Sequence, residues 1–426
     1  MLRIQRRLAD RLPFYYGWIV LACTCCAGFA RQGPAVATLT IFVVPMSEEF
    51  GWTASEMAGA VSLGGVLAAL CSPLLGPVVD RRGARVMLCA AVLMTGIAAL
   101  LLSLTSSLFV FYLLFCIART NFAGPFDLGI YGAVNSWFVQ LRPLANSIVT
   151  VALMVGLTAM PLIAHAAIEA GSWRTGWIAV GLTVLVTGFV PTFVLMARQP
   201  EDLGLVPDGR SPESWLASGT RPHRDPEYSR AEAMRTPAFW VLLAFIMFAY
   251  PVQAGVSLHQ APHLLERGLD ATSTALVVSL FSFVSGVTGV IFGLLVRRVG
   301  VRITLSVTGL LLAGGTVLMP GIETVTDAVV SSILFGAGIG GLLTIPPIAW
   351  ADYFGRRSFG AIRGVVLTVQ VTAQAAGPLV SGALRDTTGS YTLSLWLFAA
   401  VSLLAAALVL AAQPPVRTVP RPAPRR

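Results

Sequence analysis

Charged residues are scarce in this chain, and lysine is absent altogether. Only 12% of the 426 residues are charged, against about 25% in a typical soluble domain. Apolar residues make up 56% of the chain, so a soluble fold of this length could not cover its surface with polar groups. The composition also excludes a disordered chain, a collagen-like chain and a disulfide scaffold.

Cysteine and histidine are too few, and too poorly spaced, to indicate a metal site. The six cysteines all lie in apolar runs of the first half and are interpreted as small apolar residues. His259 and His263 have the i, i+4 spacing that can bind zinc, but Pro262 lies between them and a third ligand is missing from the sequence pattern. We therefore expect no metal and no cofactor, and we keep His259 as a candidate proton relay.

Long apolar runs dominate what is present. Twelve runs are each long enough to cross a bilayer core of about 30 Å as a helix of about 20 residues. In the first half they cover approximately 15–44, 54–79, 86–104, 108–134, 144–168 and 175–197. In the second half they cover approximately 238–261, 272–296, 303–319, 327–350, 361–384 and 392–412. Because a bilayer offers no water to backbone groups, we predict an all-α membrane protein with twelve transmembrane helices.

The arginines define how these spans are oriented. Twenty-four of the 29 arginines fall at the N-terminus, in even-numbered connections or in the C-terminal tail. Only Arg174, Arg267 and Arg385 fall in odd-numbered connections, while Arg31 and Arg119 lie inside spans. The positive-inside rule therefore places both termini and the long middle connection in the cytoplasm. Arginines divided among short loops in this way also argue against a nucleic-acid partner.

A polar stretch rich in Pro, Asp, Arg and Ser separates two sets of six spans. We expect an N-terminal six-helix bundle over 1–197, a cytoplasmic linker over 198–237, a C-terminal six-helix bundle over 238–412 and a cytoplasmic tail over 413–426. The connection Gly76–Arg85 recurs as Gly293–Arg302 at an offset of 217 residues, with two glycines and two arginines in common. An internal duplication is the simplest cause.

Gly76–Arg85 resembles the signature loop of the major facilitator superfamily, Gly-x-x-x-Asp-Arg-x-Gly-x-Arg, and lies in the place expected for it. Smaller motifs resemble those of bacterial monocarboxylate-transporter-like members. These motifs are Tyr16-Gly17-Trp18, Phe50-Gly51-Trp52, Trp137-Phe138, Pro200–Gly209, Thr236–Trp240 and Asp352–Arg356. The resemblance implies two pseudo-symmetric six-helix bundles around a central cavity lined by spans one, four, seven and ten. It also implies a monomeric carrier of the cell inner membrane.

The signature loop predicts a conformational latch made of Gly76, Asp80, Arg81, Gly83 and Arg85. Gly83 permits a tight turn, and Asp80 is the only acid among the loop arginines, so it can fix the loop by charge-assisted bonds. The resemblance implies that Asp80 also meets the positive N-terminal end of span eleven while the protein faces outward. The alternative is that the arginines only set topology. Arg297 takes the matching place in the second half, where the latch departs from the pattern.

Two arginines inside spans are the strongest functional signal, because a charge in mid-membrane is costly. If spans one and four line one cavity, Arg31 and Arg119 approach each other and would repel unless an anion lies between them. A guanidinium matches a carboxylate in shape, which favours an organic anion. The alternative is that each arginine has a private acid or carbonyl partner and is structural.

Asp127 is the only acid well inside a span. It lies about 80° around a helix and about 12 Å along it from Arg119, so a direct bond requires a bend at Gly124-Pro125. An acid beside two arginines is similar to proton-coupled organic-anion symporters elsewhere in the superfamily, which makes Asp127 a candidate proton carrier. The alternative is an acid in a polar cytoplasmic pocket.

Further polar residues can line the cavity and contact substrate, or can instead join helices by hydrogen bonds. They are Asn121, Tyr250, Gln253, Gln370 and Gln374. Monocarboxylate carriers of the family commonly have a substrate-coordinating arginine within span eight, but this chain has none there before Arg297. Either Arg31 and Arg119 take that role, or the substrate is not a simple monocarboxylate.

These features favour a secondary active transporter that moves a small organic anion, together with protons, by alternating access. A proton-driven exporter of drugs or metabolites is the alternative, although Val155–Pro161 lacks the glycine-rich motif typical of such exporters. A membrane sensor without transport activity is a third possibility. The sequence contains no nucleophile–base or metal constellation, so we predict no enzyme. The expected partners are a small organic anion, H+ and membrane lipid.

Overall fold

The computed structural model describes residues 2–210, 212–217 and 226–415. Within them, twelve helical segments are long and apolar enough to cross a membrane, as predicted. The predicted tail lies outside the described residues from 416 onward, and the linker is described except for 211 and 218–225.

The first half begins with a short helix that precedes the spans, Leu2–Arg11. Three of its six spans are single helices: span two is Ala54–Arg82, span three is Ala84–Leu102 and span five is Arg142–Glu169. Span one consists of two helices, Gly17–Arg31 and Val36–Phe50, and span four of Leu108–Ala123 and Pro125–Trp137. Span six runs from Trp173–Val184 through the π-helical turn Leu185–Phe189 to Val190–Leu195. The linker contains the short turns Pro200–Leu203 and Pro207–Gly209 and the helices Pro212–Ala217 and Arg230–Met234.

The second half repeats the arrangement, and each of its six spans contains a single unbroken α-helix. Spans seven to twelve are Pro237–Glu266, Ala271–Val299, Val301–Leu318, Val325–Phe354, Phe359–Thr388 and Thr392–Leu408, with short 3-10 turns at Met319–Gly321 and Val409–Ala411. Large apolar side chains are exposed on the outer faces of both halves, for example Leu74, Phe109 and Phe283 at 70% or more. Such a surface is suited to lipid rather than to water.

Span one is broken where its sequence contains Gly33-Pro34. Helix Gly17–Arg31 ends there, and the next helix starts only after Ala35, whose backbone is extended. Pro34 has no amide hydrogen and cannot continue the helix. The Thr38 hydroxyl donates to the freed carbonyl of Gln32 at 2.9 Å, so the break leaves this carbonyl satisfied. The break ends the first helix at Arg31.

Span four is broken at Gly124, whose dihedral angles (φ −115°, ψ −84°) are not helical. Pro125 is the first residue of the next helix, where a missing amide hydrogen costs nothing. The bend that the sequence analysis made a condition for bringing Arg119 to Asp127 is therefore present. Asp127 nevertheless pairs with other arginines, as described below.

The two halves approach most closely at the end that holds the arginine-rich connections, which we call the arginine-rich end. There a Cβ atom at Gly76 would overlap the carbonyl oxygen of Gly360, so spans two and eleven touch backbone to backbone. At the pseudo-symmetric place, a Cβ at Gly293 of span eight would overlap the Ser147 hydroxyl of span five. Glycine is required at both positions because the helices have no room for a side chain.

The same helix pairs separate away from this end. A Cβ at Gly65 of span two would lie 3.8 Å from Val371 of span eleven, and a Cβ at Gly286 of span eight would lie 3.8 Å from Met154 of span five. These are ordinary van der Waals distances and not steric overlaps. The halves are therefore closed at the arginine-rich end and looser toward the opposite end.

Candidate functional site

A buried carboxylate, Asp127, lies where three spans meet. It is in the first turn of Pro125–Trp137, where the positive end of a helix stabilises an acid. Oδ1 of Asp127 accepts a hydrogen bond from Nε of Arg363 at 3.0 Å, and Oδ2 lies 3.9 Å from Nη1 of Arg31. Only 4% of the Asp127 side chain and 1% of the Arg363 side chain are exposed. The three residues form one ion cluster across spans one, four and eleven.

This cluster joins the two halves of the chain. Arg31 and Asp127 belong to the first half, whereas Arg363 lies near the N-terminal end of span eleven. Burying an ion pair is costly unless both partners are well placed, so separating Arg363 from Asp127 would leave two buried charges unmatched. The cluster therefore favours the state in which the arginine-rich end is closed.

Arg31 and Arg119 lie near each other, and both contact the ring of Phe122. The guanidinium carbons of Arg31 and Arg119 lie 4.6 Å and 4.3 Å from the centre of the Phe122 ring. Nε of Arg31 also donates to the Phe122 carbonyl at 2.9 Å. Cation–π contacts of this kind stabilise two guanidinium groups near one another only in part, because their like charges still repel.

The two arginines differ in how they are satisfied. Arg31 donates to the Phe122 carbonyl and pairs with Asp127, which agrees with the alternative that this arginine has a private carbonyl or acid partner. In the described part of the chain, the buried Nε and Nη1 atoms of Arg119 have no hydrogen-bond partner. The side-chain stem of Arg119 packs on Gly64 of span two, where any larger residue would displace it. Arg119 is thus a buried cation with free donors.

The charges in this cluster do not cancel. Arg119 adjoins the cluster because it shares the Phe122 ring with Arg31, so among the described residues three guanidinium groups, Arg31, Arg119 and Arg363, lie here with one carboxylate, Asp127. Uncompensated buried cations are unfavourable, and an anion is the natural compensation. A carboxylate can accept two parallel hydrogen bonds from one guanidinium.

The other predicted contact residues lie around the cluster but are mostly paired. Tyr250 of span seven is buried, within electrostatic range of Asp127 and Arg363, and donates to the Leu342 carbonyl at 3.4 Å. Gln374 donates to Gln253 at 3.1 Å, which joins spans eleven and seven. These contacts are of the helix-joining kind that the sequence analysis kept as the alternative.

Two further predicted residues have different environments. Asn121 is buried and donates to the Ile117 carbonyl of its own helix at 3.0 Å. Gln370 is buried two helical turns from Arg363, and its Oε1 atom has no partner in the described part of the chain. Their role in binding substrate remains a prediction.

His259 lies apart from the ion cluster. Its ring stacks on Tyr391 at 5.0 Å, and His263 packs edge-on to the same tyrosine while its Nε2 contacts the Met319 carbonyl at 2.8 Å. Among the described residues, no three metal-binding side chains come together. The role of His259 as a proton relay stays a prediction.

The predicted latch residues lie at the arginine-rich end, with one difference from expectation. Asp80 accepts hydrogen bonds from the backbone amides of Gly360 (2.7 Å) and Ala361 (2.8 Å), at the start of span eleven. Among the described residues it forms no ion pair with Arg81, Arg82 or Arg85, so the expectation that Asp80 fixes its own loop through these arginines is wrong. The helix N-terminus attracts the carboxylate more effectively, because two amide hydrogens converge on it.

The remaining latch residues shape the loop. Gly83 has φ +84°, a conformation that favours glycine, and Gly300 repeats it in the second half at φ +85°. Arg85 donates to the Phe193 carbonyl at 2.6 Å, whereas Arg81 is exposed. Arg297 is exposed as well. Whether these residues latch the halves during transport remains a prediction.

Two arginines that the sequence analysis assigned to cytoplasmic loops are buried between the halves, and that assignment is wrong for them. Arg363 pairs with Asp127, and Arg142, which is fully buried, pairs with Asp352 at 2.5 Å. Arg142 lies just before predicted span five (144–168), and Arg363 lies at the very start of predicted span eleven (361–384), where it was grouped with the neighbouring loop arginines Arg356 and Arg357. The available signal was that each stands alone in an apolar context, unlike Arg81-Arg82 or Arg297-Arg298.

Comparison with known proteins agrees with this architecture. The family model of the Major Facilitator Superfamily matches residues 20–264 and 254–426, and the chain therefore belongs to this superfamily of membrane transporters. It is a multi-pass membrane protein and not an enzyme.

Particular relatives narrow the resemblance to monocarboxylate transporters. The chain is 22% identical to monocarboxylate transporter 2 of Homo sapiens over 395 residues, covering 88% of this chain and 81% of the relative. It is 23% identical to monocarboxylate transporter 12-B of Danio rerio over 409 residues, covering 91% and 85%. The solved structure of a proton:xylose symporter, XylE, matches with a TM-score of 0.73 at 12% identity, covering 92% and 94%. At that identity, the last likeness concerns the fold alone.

Proposed function

We propose that the protein is a secondary active transporter of the cell inner membrane that moves a small organic carboxylate together with protons. The observation that carries the proposal is the buried guanidinium of Arg119, whose Nε and Nη1 have no partner in the described part of the chain. The likeness to monocarboxylate transporters supports the same class of substrate. In this proposal Arg119 binds the substrate carboxylate, and Arg31 helps to hold it near Phe122.

Charge balance supplies the coupling to protons. The cluster has an excess of two positive charges, since three arginines face one carboxylate. A substrate anion lowers that excess by one, and a proton on Asp127 raises it by one, so binding both leaves it unchanged. The anion and the proton therefore stabilise each other in the site, and each binds more weakly alone.

Asp127 also connects the proton to the conformational change. Protonated Asp127 no longer attracts Arg363, so one contact that closes the arginine-rich end is weakened when proton and substrate are both bound. Opening of this end would then expose the substrate to the cytoplasm, where the arginine-rich connections and both termini lie in our proposal. A monomer is sufficient for this cycle, because both halves are in one chain.

Uptake by proteoliposomes tests this function. We expect labelled short-chain carboxylates to enter faster with an inward proton gradient than without one. Arg119→Ala should lower uptake about tenfold to a hundredfold, since a charge-assisted hydrogen bond contributes about 1.5–3 kcal/mol. Arg119→Lys should retain part of the activity, because it keeps the charge but not the planar fork.

The matched control is Arg298→Ala, which removes an exposed arginine at the end of span eight. Normal carboxylate uptake by Arg119→Ala would contradict the assignment of the binding site. If only neutral or cationic lipophilic compounds move, the exporter alternative is correct. Asp127→Asn tests coupling separately: uptake should lose its dependence on the proton gradient.

A further inference from the structure

The linker segment Pro200–Gly209 contacts both halves of the transporter. Its first turn is Pro200–Leu203 and its last is Pro207–Gly209. The sequence analysis treated this stretch as part of a linker without apolar periodicity. The contacts of two acids, Glu201 and Asp208, give it a specific arrangement at the arginine-rich end.

Asp208 captures three backbone amides of the loop between spans four and five. Its carboxylate accepts hydrogen bonds from the amides of Val139 (3.1 Å), Gln140 (2.8 Å) and Leu141 (3.0 Å). The residue is buried, and it has φ +59°, which an aspartate tolerates better than most residues. Three amides on one carboxylate make a strong, charge-assisted anchor.

The captured loop leads directly into span five, whose first residue is Arg142. A cation at this position is unfavourable, because the N-terminal end of a helix already carries partial positive charge. The Asp208 carboxylate compensates for both charges. Arg142 is thereby held in a fully buried position, from which it reaches Asp352 of the second half at 2.5 Å.

The other acid of the segment contacts the second half directly. Glu201 accepts a hydrogen bond from Nη2 of Arg356 at 2.6 Å, and Nη1 of Arg356 donates to the Ser136 carbonyl at 3.1 Å. Arg356 lies between spans ten and eleven. This contact is exposed, so it is weaker and easier to break than the Asp208 anchor.

The N-terminus of the chain covers the segment from the other side. Tyr15 donates to the Trp137 carbonyl at 3.0 Å, and its ring packs against Gly209 so closely that a Cβ there would lie 2.7 Å away. Burial and the nearby carboxylates of Asp208 and Glu201 raise the pKa of Tyr15, so the phenol stays protonated and remains a donor. The segment is therefore fixed to the first half.

We propose that Pro200–Gly209 is a strap that keeps the arginine-rich end closed. Asp208 is a positioning residue that holds Arg142 in place for Asp352, and Glu201 is the contact to Arg356 that is released when this end opens. The proposal rests on alternating access in this superfamily and does not depend on which substrate is carried.

Hydrogen–deuterium exchange of the full chain in lipid nanodiscs tests the strap. Asp208→Asn should raise amide exchange about tenfold at 142–147 and 359–364, because charge-assisted bonds at a helix N-terminus become neutral ones. Exchange at the opposite end, in 56–64 and 276–286, should fall at the same time, since the population moves toward a state closed there. A merely local loosening would not produce this reciprocal fall.

Asp202→Asn is the matched control, because Asp202 lies in the same segment and, among the described residues, its carboxylate accepts a side-chain hydrogen bond only from Gln199 of the same half. Glu201→Gln should give the same reciprocal change in amide exchange to a smaller extent. If the Asp208→Asn protein cannot be produced in folded form, the result for Glu201→Gln tests the proposal instead. In combination with Asp352→Asn, Asp208→Asn should add little, since both act through Arg142. Fully additive effects, or faster exchange confined to 139–141 and 205–210, would overturn the proposal.

Discussion

The contact between Arg363 and Asp127 can be tested by replacing the arginine with methionine, which keeps an unbranched side chain and removes its charge. Removing one partner of a buried ion pair costs about 3–5 kcal/mol. Asp127 keeps Arg31 at 3.9 Å, so the lower figure of about 3 kcal/mol applies. Because this contact joins the halves, the cost falls on the state closed at the arginine-rich end.

A cost of about 3 kcal/mol corresponds to a shift of about a hundredfold in the ratio of open to closed states. The amides of Gly360 and Ala361 report on that ratio, since they are bonded to Asp80 across the interface. Their exchange with deuterium in nanodiscs should be about a hundredfold faster in Arg363→Met than in the parent protein. Arg302→Met is the control, because the hydrogen bond that Arg302 forms in the described part of the chain is to the Leu410 carbonyl of its own half.

The double variant Asp127→Asn/Arg363→Met removes the orphaned carboxylate as well. It leaves the cluster with the same excess of two positive charges, so much of the lost protection should return. Single effects that add to within about 0.5 kcal/mol in the double variant would refute the reasoning, because they would mean that the two residues do not interact.

Three further predictions concern other contacts. Asp80→Asn should speed amide exchange at the start of span eleven about tenfold, since one neutral oxygen replaces a carboxylate bonded to two amides. Asp352→Asn removes the carboxylate that Arg142 meets across the halves and should destabilise the closed state by at most about 3 kcal/mol, the lower end for a broken buried pair because Asp352 is partly exposed, measured by the same exchange. Asp270 caps span eight, and hydrogen bonds from Ser273 lower the pKa of its carboxyl group. The stabilisation of the fold by this charged cap is therefore present above pH of about 4 and is lost as the pH falls through the lowered pKa. The difference in Tm between the parent and Asp270→Ala should accordingly vanish in acid.

The twelve-span architecture could be predicted from sequence because a bilayer imposes a simple length and polarity rule. Apolar runs of about 20 residues are easily recognised as spans, and the arginines distinguished the even-numbered connections from the odd-numbered ones. The duplication at an offset of 217 residues independently indicated two equivalent halves. Each of these three signals is local or periodic, and none of them requires knowing which helices touch.

The partners of charged residues could not be predicted in the same way. Asp127 lies far in sequence from Arg363, and Arg142 from Asp352. Which acid meets which base depends on how the two bundles dock, and spacing along one helix says nothing about this. The sequence analysis accordingly doubted a bond between Arg119 and Asp127 but did not find the partner that replaced it.

Pro200–Gly209 was noted in the sequence as a motif, but its contacts could not be predicted, for another physical reason. Its ten residues lack apolar periodicity, and its structure comes from carboxylates bonded to backbone amides. Any residue can supply such an amide, so the acceptor pattern leaves no trace in the sequence of the loop it captures.

The buried ion pairs between the halves are reciprocal. In one, the first half provides the base, Arg142, and the second half the acid, Asp352. In the other, the second half provides the base, Arg363, and the first half the acid, Asp127. If the chain were cut in the linker and made as two fragments, each fragment would expose one base and one acid at matching places. Each fragment would then offer the other a base for its acid and an acid for its base, so that association of the two fragments would neutralise all four groups.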